Sequence, residues 1–331
     1  MKIICFVIFS VTSFFVAQAQ QMPYKFSDKW NIPSGNERWD YLKIENNQLY
    51  VSHTDRVHVL DAISGKQLGE IDHLKGVHGI APVSIVGKGY ITNGTTNEIT
   101  VFDLKSFIVL KTIAIPGKKA DAILFDLYSK RLFIFNNGSG NAVVMDPKTD
   151  EVIGQVNMGG APEFSVSDLK GSIFNNNEDS HEIVEIDAKS LVIKNRFSLA
   201  PNEVPTGLAM DVKNQRLFSV CRKSKTLVVL DSKTGKIVST LPIGAGVDGV
   251  VYDTKLHLVI TSNADGTATV VKQTSKDEYA VIQTIQTSKG LRTIAIDEKT
   301  NRIFLPGATY GEDGKSLVAA SFGVLVYQAD K

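Results

Sequence analysis

The chain reads as an all-β protein: a seven-bladed β-propeller of four-stranded antiparallel blades, with the ring closed by the N-terminal strand. Three observations predict this. An apolar residue followed by Asp closes a β-type run at Leu60-Asp61, Phe102-Asp103, Met145-Asp146, Ile186-Asp187 and Leu230-Asp231, at spacings of 42, 43, 41 and 44 residues. Each period holds four short runs separated by turn residues, as in 207–211, 216–221, 226–230 and 237–241. A period of about 40–45 residues with four strands per unit is the mark of a propeller. Finally, the last unit supplies only three runs, while an unattached fourth precedes the first unit.

Taken in order, residues 1–19 differ from the rest. Lys2 is followed by a mostly apolar stretch and then Ala17-Gln18-Ala19, a small-x-small pattern. This predicts a secretory signal peptide at 1–19, a single domain over 20–331, and a periplasmic or secreted protein. No later apolar run is long enough to span a bilayer. Of the two cysteines, Cys5 falls in the leader, so Cys221 alone remains and no intramolecular disulfide can form. A half-buried strand residue is the favoured reading of Cys221, over a thiol activated by Arg222 and Lys223.

Tyr24-Lys25-Phe26 and Trp30-Asn31-Ile32 read as the detached strand. Pairing it with the last unit closes the ring and removes an open edge. The blades are then expected at 39–71, 77–113, 120–156, 162–197, 205–241, 247–285, and 291–327 plus that strand. The recurring Asp61, Asp146 and Asp231, each followed by a Thr or Ser, are read as turn caps whose carboxylates accept backbone N–H groups. Arg131, Arg216 and Arg302 precede apolar runs in one register, which argues for scaffold.

The second strands read Tyr50-Val51-Ser52-His53, Tyr90-Ile91-Thr92-Asn93, Phe133-Ile134-Phe135-Asn136 and Val259-Ile260-Thr261-Ser262. Later strands follow Val-x-Val-[Leu/Ile]-Asp and Thr-Gly-Lys patterns. Nearly the whole chain after the leader resembles the YVTN-repeat bacterial β-propellers. The resemblance implies a seven-bladed, commonly exported propeller. It implies little about activity, because function lives in sites grafted on the fold. The wider superfamily includes lactonase-like enzymes, haem domains and nucleic-acid binders. No Cys-x-x-Cys-His is present, which excludes covalent c-type haem.

Topology directs attention to the residue that starts each innermost strand at the channel mouth: Asp40, His78, Asp121, Glu163, Thr206, Asp248 and Arg292. Repeats should carry like residues at like places, yet this place holds four carboxylates, an imidazole, a hydroxyl and a guanidinium. Converging carboxylates raise one another's pKa or bind a cation. Asp40, Asp121, Glu163 and Asp248 are the expected ligands of one divalent ion, Ca²⁺ or Mg²⁺, with His78 admitting Zn²⁺ or Mn²⁺. The alternative is loop capping in a water-filled channel. Asn-rich loops at 93–97, 136–141 and 175–181 share this face, as tight turns or as donors to a sugar. The long segment 307–321 is either a lid or a tolerated insertion.

No nucleophile elbow, phosphate-binding Gly loop or zinc-spaced cluster is present. The expectation is a binding or scaffold protein recognising a small polar ligand or a protein partner at the mouth, without catalysis. The second reading is a lactonase-like, metal-assisted hydrolase at the same carboxylates. The third is nucleic-acid binding through Lys75, Lys118, Lys119 and Arg292. A formal net charge of only +1 and the four carboxylates speak against that third reading.

Overall fold

The computed structural model describes residues 23–33 and 38–329. The leader at 1–19 lies outside them. Seven four-stranded antiparallel sheets surround a central channel. Blade 1 comprises Trp39–Glu45, Gln48–His53, Arg56–Asp61 and Gln67–Ile71, from the channel outwards. Blades 2 to 6 occupy 77–114, 120–157, 162–198, 205–242 and 247–286. Blade 7 joins Ala295–Asp297, Arg302–Gly307 and Gly323–Ala329 to the closing strand Tyr24–Asn31, which is outermost. That strand pairs from Tyr24 opposite Ala329 to Asn31 opposite Gly323.

The second and third strands of each blade are buried on both faces, because each sheet is sandwiched between two others. Phe133, Ile134 and Phe135 in blade 3 are all fully buried. The apolar side chains form seven clusters, one between each pair of neighbouring blades. The core is therefore a ring of seven interfaces, and its integrity depends on the ring being closed.

The repeating aspartates are turn caps, as expected. Asp61 accepts the amides of Ile63 and Ser64 at 3.1 and 2.7 Å, and Gly65 follows with φ +71°. Asp103, Asp187 and Asp231 do the same in their blades. The scaffold arginines reach into a neighbouring blade: Arg131 to the carbonyl of Lys189, Arg216 to Asp277, and Arg302 to the carbonyl of Ile63. Cys221 is fully buried, and burial pushes its thiol up to about 12, so it is inert.

The innermost strand of blade 7 departs from the expected span. Only Ala295–Asp297 pairs in the ladder, although Leu291 keeps its buried place. Gly290, with φ +84°, turns the chain beneath the ring of Tyr310. The long segment after Gly307 thus packs over the start of its own blade's inner strand.

Candidate functional site

In blades 1 to 6 the innermost strand carries a register shift at its start, for example between Trp39 and Leu42, and between Val77 and Ile80. Such a bulge re-aims a side chain away from the sheet. In each of these blades except the fifth it turns the second residue of the strand towards the mouth.

Three of these residues converge. His78 Nδ1 lies 2.5 Å from Asp40 Oδ2 and 3.8 Å from Asp121 Oδ1. One donor atom from each of Asp40, His78 and Asp121 lies within 4.8 Å of the others. Burial opposes a charge on His78, but the hydrogen bond it donates to Asp40 and the charges of Asp121 and Asp40 outweigh it and raise its pKa. Burial, with Asp40 and Asp248 adding to it, pushes Asp121 up to about 7 against the pull of His78.

The other expected ligands are engaged elsewhere. Asp248 faces two guanidinium groups, Arg222 at 3.2 Å and Arg292 at 3.4 Å. Burial still lifts it to about 6. Glu163 accepts from Asn137 Nδ2 at 2.8 Å. Burial first, then the charges of Asp121, Asp248 and Glu178, hold Glu163 well above the carboxylate range. Arg222 also pairs with Glu178. Thr206 is buried, and its hydroxyl donates to the carbonyl of Val247 at 3.3 Å. It ties blade 5 to blade 6 and is not presented to the mouth.

Two side chains that sequence reasoning passed over form the floor. Tyr41 and Phe164, from opposite sides of the ring, meet with centroids 5.5 Å apart. The phenol of Tyr41 is held undissociated by burial and by Asp121, Glu163, Asp40 and Asp248. Elsewhere this place holds Gly79, Ala122, Gly207, Gly249 and Thr293. Those small residues let neighbouring inner strands approach: a Cβ on Gly207 would lie 2.7 Å from the carbonyl oxygen of Asp248. The two aromatic exceptions were a readable signal.

The asparagines leading into the mouth-face loops are structural. Asn93, Asn136, Asn175, Asn176 and Asn177 are buried. Asn176 Nδ2 donates to the carbonyls of Thr206 and Gly207, and Asn177 Nδ2 to that of Met158. The Nδ2 groups of Asn176 and Asn177 are therefore not available to a sugar.

The segment after Gly307 is ordered by its own bonds. Gly311 and Val318 donate backbone amides to Ser316 and Thr309, and Asp313 caps Lys315 and Ser316. Beneath it lies a cavity of about 580 Å³, bordered by Trp39 and Arg292 of the mouth and by Tyr310 and Lys315 of the segment.

A closed ring with a floored, charged mouth defines a seven-bladed β-propeller of the kind that commonly binds or scaffolds other molecules. The chain belongs to the family described as "Domain of unknown function (DUF5074)", which matches residues 10–206. Among curated proteins none matches. Among solved structures, a chain described as "Crystal Structure of Mitotic Checkpoint Complex" superposes with a TM-score of 0.78 at 12% identity, covering 100% of this chain and 99% of that one. At that identity the likeness concerns the fold alone. Among the described residues no helix is long and apolar enough to cross a membrane.

Proposed function

We propose that the protein captures a small polar ligand at the channel mouth, with a divalent cation held by Asp40, His78 and Asp121. The observation that carries this is the convergence of two carboxylates and an imidazole, from three consecutive blades, within 4.8 Å. A mixed oxygen and nitrogen donor set suits Zn²⁺ or Mn²⁺ better than Ca²⁺ or Mg²⁺. Burying Asp121 as a carboxylate is costly, and a cation would offset that cost.

Calorimetric titration of the purified protein with each of the four ions tests the reading. About one equivalent of Zn²⁺ or Mn²⁺ is expected to bind, and Asp121→Asn to weaken binding at least tenfold without lowering the melting temperature of the ion-free protein. Absence of uptake for all four ions would remove the cation from the proposal.

A second reading, metal-assisted hydrolysis, has one favouring observation: Glu163, on the same ring, is buried among the charges of Asp121, Asp248 and Glu178, which raises its pKa in the direction a general acid needs. Turnover of lactones or esters by the metal-loaded protein, lost in Glu163→Gln, would select it.

The Tyr-Val-Thr-Asn-like second strands support kinship with the exported YVTN-type propellers, and the 1–19 pattern supports action outside the cytoplasm. N-terminal sequencing of the chain from its native cells should then read Gln20 first. A retained Met1 would count against export.

A further inference from the structure

We infer that the cavity beneath the blade 7 segment is a binding site for a small oxyanion-bearing organic molecule, seated on Arg38, Arg292 and Lys315. The inference rests on reading the mouth as a ligand site, but not on the cation. Among the described residues the cavity of about 580 Å³ is bordered by three cationic side chains and no carboxylate. Its volume lies within the ~300–1,000 Å³ typical of small-ligand sites.

Three of the described acids nearby, Asp313, Asp265 and Asp248, are engaged in other bonds. Asp313 accepts the amides of Lys315 and Ser316 and the Ser316 hydroxyl. Asp265 accepts the Ala245 amide at 2.6 Å and the Thr267 hydroxyl at 2.7 Å. Among the described residues Asp248 is the one carboxylate paired with Arg292, and it is shared with Arg222. Arg292 therefore keeps N–H donors for a second acceptor, and a guanidinium presents them in a planar fork suited to carboxylate or phosphate. No ion pair engages the side chains of Arg38 or Lys315 among the described residues.

The site is preformed. Tyr310 lies so close over Gly290 that any side chain there would meet its ring at 2.3 Å, and Tyr310 pairs with Leu317 across the base of the segment. The aromatic wall gives a ring-shaped body a place to lie, while the cations take its charge.

Calorimetry of the full chain with digalacturonate, glucose 6-phosphate and neutral cellobiose tests this. At least one of the two anionic probes should bind with a dissociation constant below about 1 mM, and cellobiose should not. Whichever anion binds tells carboxylate from phosphate recognition. Arg38→Gln with Lys315→Gln should weaken that binding at least tenfold at an unchanged melting temperature, whereas Arg38→Lys with Lys315→Arg should retain it. Failure of both anions, equal binding of cellobiose, or wild-type affinity in the Gln pair would each overturn the inference. Titrating metal into the same samples separates the two sites: the Gln pair should still take up the cation, and Asp121→Asn should still bind the anion.

Discussion

Deleting residues 24–31 should abolish the cooperative unfolding transition altogether. The strand is short, but each of its ends anchors a different neighbour. Tyr24 is buried, donates its hydroxyl to Asp253 at 3.1 Å, and exchanges backbone bonds with the side chain of Gln283 at 3.1 and 2.7 Å. These contacts reach blade 6. Trp30 lies 5.4 Å from Phe304 within its own blade and covers the Gly65 turn of blade 1. The strand thus links blades 6, 7 and 1, and without it Gly323–Ala329 becomes an open edge with Tyr327 stripped of cover. Truncating one large buried aromatic costs about 3–5 kcal/mol. Losing two, together with a whole ladder, would consume the roughly 5–15 kcal/mol by which domains are stable. The graded test is Trp30→Ala, expected to lower stability by about 3–5 kcal/mol in urea unfolding followed by circular dichroism. A deletion variant that still unfolds cooperatively, with a midpoint near that of the full chain, would show that the other five interfaces suffice.

The closing strand was legible because an unpaired run preceded the first repeat and a run was missing from the last. The ring position was legible as a place to look for a similar reason: one register place carried residues unlike one another, with loop capping as the alternative that Thr206 follows. The sequence did not reveal which of those residues have partners. Thr206 spends its hydroxyl on a backbone carbonyl, and Asp248 is held by Arg222, which lies 26 residues away on another blade's loop. Such pairings depend on how far a side chain reaches across the mouth, and no repeat spacing encodes that. The expected four-carboxylate site therefore becomes a three-residue cluster of Asp40, His78 and Asp121, with Glu163 and Asp248 on the same ring but partnered by others. Tyr41 and Phe164 show the reverse case. They broke a Gly/Ala pattern one residue further on, and nothing but closeness across the channel reveals that they meet.

The second large effect concerns acid. His53 ends the second strand of blade 1, the place held by Asn93 in blade 2 and Asn263 in blade 6. His58 sits in the third strand, the place held by Thr100 and Thr269. In those blades the Asn amide donates to the Thr hydroxyl, at 2.9 and 3.2 Å. In blade 1 the pair is His53 Nδ1 and His58 Nε2, 3.3 Å apart, with His53 stacked 4.4 Å from Phe322. A neutral cross-strand bond has been rebuilt from two titratable rings inside the blade 7–blade 1 interface. Burial, then the charges of His53 and Arg56, push His58 down to about 4 against the pull of Asp55. Glu70 lies 3.1 Å from His58, but its other oxygen is bound by Arg56.

With the folded pKa below the unfolded value of about 6.5, the unfolded chain binds more protons between the two. The stability owed to this group is complete above pH 6.5 and is lost as pH falls towards 4. A depression of that size corresponds to roughly 3 kcal/mol. The mouth carboxylates act in the opposite sense, because their raised pKa values make acid protonation favour the folded state. Raw acid stability therefore mixes two signs, and a comparison with His53→Asn/His58→Thr isolates the pair. That variant should match the wild type near pH 8 and exceed it by about 2 kcal/mol at pH 5 in urea unfolding. Parallel losses in both proteins would mean that His58 is not buried as a neutral ring, and that Glu70 holds it charged instead.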